Sequence, residues 1–356
     1  TPMRRVLFLV DRNNLGKQAE GEFGTFRLTE NGDAFNTIFT VNRLRSSSIP
    51  SDSNVVISTI QRLSFLKGET IEDNDDDDEN EPVEEVILPP NPKLPHDYFD
   101  MIIIDECHRS IYGNWRKVLE YFDTARLVGL TATPIEETKK FFNYNIIVNY
   151  TLEKSIVDGV NVDCRVYRIK TQVTETGGAI LEGERVKEET RYTGEVKTVS
   201  NKETKTYTNK ELNRSVINPA QIKLILSTYR DVVYTELFND PQREPNMDYL
   251  PKTLIFALNE AHATNIVQIA KEVFGRTDDR FVQKITYSAG DSNELIRQFR
   301  NDKDFRIAVT CTLVATGTDV KPLEVVMFMR DVESLPLYIQ MKGRGVRTIG
   351  DEQLRN

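Results

Sequence analysis

Two series of short apolar runs, separated by amphipathic stretches, restrict the fold of this chain more than any other feature. The first series contains RVLFLV, NVVIST, DMIIID and LVGLTAT, and the second contains KTLIFAL, QKITYS, RIAVTCT and EVVMFMR. Short apolar runs bounded by polar residues are typical of strands buried on both faces. The stretches between them have helical spacing, as in Ile222, Leu226, Tyr229 and Val233. Strands that alternate with helices predict an open parallel α/β sheet, and the pattern occurs twice.

The predicted fold class is therefore α/β, with two parallel-sheet domains in tandem. We expect the first domain at residues 1–150 and the second at residues 216–356. The intervening residues 151–215 are mostly polar, contain a Gly-Gly pair and alternate Thr with Val, which predicts a connector with β-hairpins. The length of 356 residues favours this division, because it exceeds the size of one ordinary domain.

The negative charge of the chain is concentrated in one segment. The net charge is −9, but IEDNDDDDENEPVEE at 71–85 contains ten acidic and no basic residues, so the rest of the chain carries +1. A block of like charges repels itself and stays solvated, which predicts an acidic surface loop. The overall acidity therefore does not exclude a nucleic-acid partner.

The three cysteines, Cys107, Cys164 and Cys311, are scattered without a CxxC pair. This spacing is typical of a reducing cytoplasm and argues against a disulfide framework or a zinc site. No apolar run approaches the roughly 20 residues that a membrane span requires. We expect a cytoplasmic protein without a membrane partner.

The apolar run DMIIID leads into two adjacent carboxylates, Asp105 and Glu106, within DECH. In an open parallel sheet, ligands bind at the carboxyl ends of the strands. An aspartate there is the usual partner of Mg²⁺ in nucleotide hydrolases, and one or two carboxylates suffice because magnesium retains waters. The neighbouring glutamate can orient or deprotonate the attacking water. Since many α/β proteins end a strand in a carboxylate, this pair alone is not specific.

The next apolar run ends in TATP, which provides the hydroxyl groups of Thr131 and Thr133. We predict that these hydroxyls hydrogen-bond the carboxylate and His108, and that all three residues couple nucleotide state to the second domain. Further along, TCTLVATGTDVKP places Gly317 and Asp319 in a predicted turn that contacts both nucleotide and nucleic acid.

The segment LYIQMKGRGVRT places Gln340, Arg344 and Arg347 at spacings of four and three residues, which predicts one helical face. Arginine carries a permanent charge in a fork that matches phosphate oxygens. Arginines brought across a domain cleft can stabilise the charge of phosphoryl transfer. We predict that the carboxylates of the first domain and the guanidinium groups of the second converge on a triphosphate.

DECH, TATP, TGTD and QMKGRGVR, in this order across two sheets, resemble the motifs of superfamily-2 helicases and translocases. LFLVDRNNLGKQA, DECHRSIYGNWRKVLEYFDTARLVGLTATP and DVESLPLYIQMKGRGVRT further resemble the motor (R, or restriction) subunit of type I restriction-modification enzymes. The resemblance covers nearly the whole chain. It implies two RecA-like domains, ATP-driven pumping of double-stranded DNA and a separate nuclease domain.

The resemblance also implies cofactors, partners and residue roles. ATP and Mg²⁺ would be the cofactors, and the partners would be double-stranded DNA and the specificity and methyltransferase subunits of the restriction complex. Arg344 and Arg347 would act as arginine fingers, while Asp105 and Glu106 would serve Mg²⁺ and the attacking water. By analogy with the family, the expected DNA contacts, made to phosphates without reading sequence, are Arg12, Thr59, Gln61 and Thr310.

The chain departs from the family in one motif. No stretch fits G-x-x-x-x-G-K-[ST], the loop that cradles ATP phosphates, which in this family lies just upstream of the VLFLVD strand. Because the other motifs are intact, we expect the first domain to be truncated at its N-terminus, with the phosphate loop and the nuclease domain further upstream. The 356-residue chain alone should then show no appreciable ATP hydrolysis.

Two alternatives remain open from the sequence. A type III restriction or repair-type translocase shares the general motifs, although HRSIYGNW after the carboxylates favours the type I subunit. A non-catalytic DNA-binding or assembly module that lost its phosphate loop belongs to a different class. A phosphate loop in the coding sequence just upstream of Thr1 would eliminate this last alternative.

Overall fold

A computed structural model forms two compact units, Thr1–Asn149 and Tyr150–Asn356. The structure describes residues 3–11, 13–45, 49–59, 62–63, 94–110, 113–169, 178–180, 185–189, 196–200, 205–207, 216–217, 219–241, 243–276, 278–286, 292–311, 320, 322–332 and 334–348. The predicted acidic loop at 71–85 lies outside these residues.

The first unit is built on a five-stranded sheet in the order β2-β3-β1-β4-β5, in which every neighbouring pair is parallel. Its strands are β1 (Val6–Val10), β2 (Val41–Arg43), β3 (Val55–Thr59), β4 (Met101–Ile104) and β5 (Arg126–Gly129). The register pairs Val10 with Thr59 and Leu9 with Ile104. The carboxyl ends of β1, β3 and β4 therefore meet at one edge of the sheet.

Short helices connect these strands: α1 (Asn13–Thr25), α2 (Phe35–Ile38), α3 (Cys107–Ser110), α4 (Gly113–Tyr121) and α5 (Glu136–Phe141). The core of the unit combines alternate residues of β1 and β4 with aromatic rings from the loop before β4 and from the residue after α4. Phe99 and Phe122 are buried and contact each other edge to face, with ring centroids 5.2 Å apart. This packing fixes the position of β4, whose end carries the paired carboxylates.

The second unit begins with α6 (Leu152–Val157) and a set of antiparallel strands. The strands are β6 (Gly178–Ile180), β7 (Arg185–Glu189), β8 (Val196–Ser200), β9 (Lys205–Tyr207) and β10 (Val216–Ile217). They form a three-stranded sheet, β10-β7-β8, and a separate pair, β6 with β9. Antiparallel strands thus lie within the residues for which the sequence predicts hairpins.

A four-stranded parallel sheet in the order β12-β13-β11-β14 forms the main body of the second unit. The strands are β11 (Thr253–Phe256), β12 (Val282–Lys284), β13 (Ile307–Thr310) and β14 (Val325–Phe328), and the helices are α7 (Pro219–Val232), α8 (Glu260–Phe274), α9 (Ser292–Asn301) and α10 (Leu335–Lys342). A π-helical turn, Val233–Leu237, extends α7, and a 3₁₀ turn, Gly343–Gly345, follows α10.

Alternation along the central strands divides the core of the second unit between the two faces of the sheet. Ile255 and Val309 pack with α7 and α8 on one face. Leu254, Phe256 and Ala308 pack with α9 and α10 on the other. Every residue of β11 and β13 is buried, as expected for central strands covered on both sides.

These two sheets confirm the predicted fold class of two parallel-sheet α/β domains. Within the described part of the chain, no helix combines the length and the apolar character that crossing a membrane would require.

Candidate functional site

The carboxylates of DECH lie at the carboxyl edge of the first sheet, directly after β4. The Asp105 amide extends the pairing of β4 with β1 by donating to the Leu9 carbonyl oxygen at 2.9 Å. The Asp105 carboxylate accepts a hydrogen bond from the Glu106 amide at 3.0 Å. The main chain therefore holds the aspartate in one orientation at the strand end.

Glu106 adopts a left-handed backbone conformation, with φ of 48°. For any residue other than glycine, this backbone conformation is unfavourable by roughly 1 kcal/mol or more. It turns the chain from β4 into α3, where the Cys107 amide donates to the Leu130 carbonyl oxygen at 3.0 Å. The DECH segment is thereby attached to the residue that follows β5.

His108 is the centre of a polar cluster. Its Nδ1 atom lies 3.0 Å from Thr131 Oγ1, 3.4 Å from Glu106 Oε2 and 3.5 Å from Thr133 Oγ1. The Thr133 amide also donates to Thr131 Oγ1 at 3.0 Å. The structure thus brings together four residues that the sequence singled out, from the ends of β4 and β5.

Burial is the main influence on the pKa values of Asp105 and His108 at this sheet edge. Burial raises the pKa of Asp105, the hydrogen bond from the Glu106 amide lowers it, and the charge of Asp11 raises it. Burial lowers the pKa of His108, and the positive charge of Arg109 lowers it further, against a smaller opposing effect of Asp11. The site therefore favours a neutral histidine and disfavours an isolated aspartate anion.

Sequence reasoning missed an ion pair at the same edge. The guanidinium group of Arg109 contacts the carboxylate of Asp11, whose side chain is only 14% exposed at the end of β1. Asp11 ends an apolar run, LFLVD, in the same way that Asp105 ends DMIIID. The signal that identified Asp105 was therefore present for Asp11 as well.

The chemistry of these oxygen donors fits a hard divalent cation. The charge of Asp11 acts on Asp105 at this sheet edge, and burial opposes the ionised form of Asp105. A cation such as Mg²⁺ would offset this cost, and Asp105 is the residue that would hold it. Among the residues that the structure describes, no group of three or more His, Cys, Asp and Glu side chains forms a complete metal cage.

The predicted single helical face of Gln340, Arg344 and Arg347 is wrong. Only Gln340 lies on α10, because that helix ends at Lys342. Arg344 lies in the following 3₁₀ turn, and Arg347 lies beyond it in an antiparallel bridge with Asn161. Two glycines, Gly343 and Gly345, flank Arg344 within this 3₁₀ turn.

Gly345 also permits a close approach to the second sheet. A Cβ atom at this position would lie 2.9 Å from Cγ2 of Val326 in β14. The turn that carries Arg344 is therefore packed on the sheet at a point where only glycine fits without a shift.

The predicted DNA contacts are only partly within the described residues. Thr59 ends β3 and is buried, and its hydroxyl accepts a hydrogen bond from the Arg62 amide at 3.4 Å. Thr310 ends β13 and is also buried, and its hydroxyl has no hydrogen-bond partner in the part of the chain that the structure describes. Neither hydroxyl reaches the surface in this conformation. Arg12, Gln61, Gly317 and Asp319 lie outside the described residues.

The two tandem parallel sheets place the chain in the class of RecA-like α/β folds, and solved structures share this fold. A fragment described as an HsdR subunit of a type I restriction enzyme from Vibrio vulnificus YJ016 has a TM-score of 0.58 and 21% identity, covering 98% of this chain and 51% of that chain. The ATP-dependent Type ISP restriction-modification enzyme LlaBIII bound to DNA has a TM-score of 0.53 and 12% identity, covering 97% of this chain and 23% of that chain.

Sequence comparison shows similarity to subunits of restriction enzymes. Residues 1–136 match the family ResIII, described as type III restriction enzyme, res subunit. Over 97% of its length the chain is 29% identical to the type I restriction enzyme EcoKI endonuclease subunit of Escherichia coli K12. The chain is thus a homologue of type I restriction enzyme endonuclease subunits, as its motifs predicted, and it spans 29% of the length of the EcoKI subunit.

Proposed function

We propose that this chain is the motor part of a type I restriction enzyme endonuclease subunit, which couples ATP hydrolysis to the pumping of double-stranded DNA. The observation that supports this most directly is the polar cluster around His108. A catalytic carboxylate, a buried histidine and two strand-end threonines form one connected group, with His108 Nδ1 3.0 Å from Thr131 Oγ1. Such a group can transmit a change at the carboxylates to the loop that carries TATP.

The residues of the site have distinct roles in this proposal. Asp105 would hold Mg²⁺ in part, and the ion would supply positive charge to the phosphates of ATP. Glu106 orients or deprotonates the attacking water from its position next to Asp105. His108, Thr131 and Thr133 report the state of the site, together with the predicted turn residues Gly317 and Asp319.

The second unit contributes positive charge to the reaction. Arg344 and Arg347 act as arginine fingers that stabilise the charge developing on the transferred phosphoryl group. Gln340, half-buried on α10, precedes them in the motif.

Double-stranded DNA is the proposed substrate of the motor, held by phosphate contacts that do not read sequence. Arg12, Thr59, Gln61 and Thr310 are the proposed contacts. Because Thr59 and Thr310 are buried, they can contact DNA only if the chain around the ends of their strands moves when DNA binds. Sequence specificity and assembly depend on the specificity and methyltransferase subunits of the restriction complex.

The 356-residue chain by itself is proposed neither to bind ATP tightly nor to cleave DNA. No segment of its sequence matches G-x-x-x-x-G-K-[ST], whose amides and lysine hold the phosphates in nucleotide hydrolases. A steady-state ATP hydrolysis assay on the purified chain tests this point. Turnover at the rate of a translocase would show that the phosphates are held in another way.

The main proposal is tested by DNA-stimulated ATP hydrolysis in the full-length subunit. We expect Glu106→Gln to reduce the rate by about 10²–10⁴-fold, because the carboxylate that activates water is lost while its size is kept. Glu120→Gln is the matched control, since Glu120 is exposed and pairs only with Arg116 on α4 among the contacts described. A wild-type subunit whose ATP hydrolysis does not respond to double-stranded DNA would overturn the proposal.

The ResIII match favours one second candidate, a translocase of the type III restriction class. The two candidates differ in their partners. A type I motor should require a specificity subunit for DNA-stimulated hydrolysis at a recognition site. Hydrolysis that needs only a methyltransferase subunit would favour the type III class.

A further inference from the structure

We propose that residues 155–162, here called the clamp segment, hold Arg347 in position, and that Asn161 is the positioning residue within it. The placement of Arg347 follows from contacts inside the second unit alone. Its consequence for hydrolysis rests on the proposed function, in which Arg347 is an arginine finger.

The clamp segment pairs with the chain directly at Arg347. Asn161 forms an antiparallel bridge with Arg347. The Val162 amide donates to the Val346 carbonyl oxygen at 2.8 Å, and the Thr348 hydroxyl donates to the Val160 carbonyl oxygen at 2.9 Å. Contacts on both sides of Arg347 thus fix its backbone opposite Asn161. In an antiparallel pair, side chains directly opposite each other project to the same face.

Asn161 is itself fixed by α6 and the turn after it. Its side-chain amide donates to Ser155 Oγ at 2.9 Å, and Ser155 Oγ donates to the Leu152 carbonyl oxygen at 2.7 Å. The Ser155 carbonyl oxygen accepts hydrogen bonds from the amides of both Val160 and Asn161, at 2.9 and 3.1 Å. Ser155 is only 2% exposed, so these bonds are shielded from water. The clamp segment is therefore a rigid support rather than a loose strand.

A turn at Gly159 gives the clamp segment its shape. This residue has φ of +72°, which glycine adopts without strain. The reversal brings Asn161 back toward Ser155 on the preceding helix. Without it, the side chain of Asn161 could not reach the buried hydroxyl.

A second attachment lies just before the arginines. The interaction of the Lys342 ammonium group with the neighbouring Cys164 raises the pKa of Lys342. Gly345 packs against Val326 of β14. The turn that carries Arg344 is thus held by the sheet, and the residues around it are held by the chain just after α6.

This support matters because the arginine segment contains two glycines and only one 3₁₀ turn. Such a segment has more backbone freedom than a continuous helix. Catalytic groups must be held in a narrow geometry, and a displacement of about 1 Å can reduce a rate about 100-fold. Because α10 ends before Arg347, the helix does not order the backbone at this residue. The clamp segment does so instead.

Asn161→Asp is the sharpest variant for a test. It keeps the size of the side chain but replaces the amide donor with an acceptor. Ser155 Oγ has one hydrogen, which it gives to the Leu152 carbonyl oxygen, so it can donate to the new carboxylate only by breaking that bond. Val157→Thr is the matched control, because Val157 lies on the same short helix, is 85% exposed and changes little in volume.

Hydrogen exchange measured by mass spectrometry on the 356-residue chain reports the clamp without any need for activity. In Asn161→Asp we expect the amides of residues 343–348 to exchange about three- to tenfold faster, as for the loss of one hydrogen bond. The amides of β11 and β13 should stay protected, and Val157→Thr should match the wild type. Unchanged exchange at 343–348 would overturn the proposal.

Ser155→Ala provides a second variant if Asn161→Asp loses protection throughout the unit. It removes the acceptor for Asn161 and adds no charge. Faster exchange at 343–348 is again expected, with β11 and β13 still protected. If residues 343–348 keep wild-type exchange in this variant, the clamp does not hold them.

The effect on hydrolysis is measured in the full-length subunit. We expect Asn161→Asp to lower kcat for ATP about tenfold or more and to leave KM for ATP unchanged, because a misplaced finger weakens only the transition state. Faster exchange with a normal kcat would overturn the positioning role. A wild type without DNA-stimulated hydrolysis would overturn the proposed function instead, and the exchange result would still report on the clamp.

Discussion

His108 and Thr131 join the ends of two neighbouring parallel strands, with Nδ1 of the histidine 3.0 Å from Oγ1 of the threonine. The histidine follows the carboxylates after β4, and the threonine follows β5. The same threonine hydroxyl accepts the Thr133 amide at 3.0 Å. One hydroxyl therefore connects the DECH segment to the backbone of the TATP segment.

Removing that hydroxyl should weaken both segments. We expect Thr131→Val, which keeps the shape of the side chain, to lower the free energy of unfolding of the first unit by about 1–2 kcal/mol, because His108 and the Thr133 amide each lose a partner. Thr131→Ser should retain most of the stability. The single tryptophan of the chain, Trp115, lies in the first unit, so urea unfolding followed by its fluorescence reports on this unit. Equal stability of the valine and serine variants would contradict the role of the hydroxyl.

The left-handed backbone of Glu106 leads to a second prediction. At φ of 48°, a residue with a Cβ atom is strained, whereas glycine is not. Glu106→Gly should therefore be more stable than Glu106→Ala by about 1 kcal/mol, the reverse of the usual preference for alanine. Both variants lose the same carboxylate, so their difference isolates the backbone. Urea unfolding monitored by Trp115 fluorescence measures it, and a more stable alanine variant would show that the turn relaxes.

Two neighbouring glycines provide a third prediction, with a built-in control. Gly345→Ala places a Cβ atom 2.9 Å from Val326 Cγ2, whereas a Cβ atom at Gly343 meets nothing within 4 Å. We expect Gly345→Ala to destabilise the second unit by about 1–3 kcal/mol through overpacking. Gly343 has helical φ and ψ of −58° and −16°, so Gly343→Ala should be neutral or stabilising by up to about 1 kcal/mol. Urea unfolding followed by circular dichroism compares them, and equal stabilities would contradict the close packing on β14.

Much of the fold and part of the site could be predicted from sequence because their signals are local. A buried parallel strand is recognisable as an apolar run, and the residue after it must lie at the carboxyl edge of the sheet. Asp105, Glu106, Thr131 and Thr133 follow such runs directly. His108 follows within one short turn, which explains why these residues meet in the structure.

The remaining features depend on contacts that no local pattern encodes. Spacing alone predicts a helical face for Arg347, but the helix ends at Lys342, and the bridge partner of Arg347 is Asn161 near the start of the second unit. Arg109, after β4, pairs with Asp11, after β1, and this pairing depends on β1 and β4 being neighbours in the sheet. Spacing along the chain predicts neither pairing, because each one is created by tertiary packing.

His262 gives the second unit a pH-dependent stability. Its Nδ1 atom accepts a hydrogen bond from the Leu258 amide at 3.2 Å, which requires an unprotonated nitrogen. Burial lowers the pKa of His262 from 6.5 to about 4. Between these values the unfolded chain binds more protons than the folded one, so stability is fully present above pH 6.5 and decreases as the pH falls towards 4. The decrease from this residue should amount to about 3 kcal/mol.

Substitution of His262 should flatten that dependence. His262→Asn keeps an acceptor near the position of Nδ1 but does not titrate, so its free energy of unfolding should change less between pH 6.5 and 4 than that of the wild type. Its stability at neutral pH should be lower, because the imidazole ring is lost from a half-buried position.

His96→Asn is the control, since His96 is exposed and pairs with Asp123. Hydrogen exchange of the α8 amides across this pH range, corrected for the intrinsic rate, measures the difference. His108 also has a lowered pKa, but it is present in all three proteins and cancels in the comparison. A His262→Asn variant that kept the wild-type pH dependence would show that His262 is not the group that senses acid in the second unit.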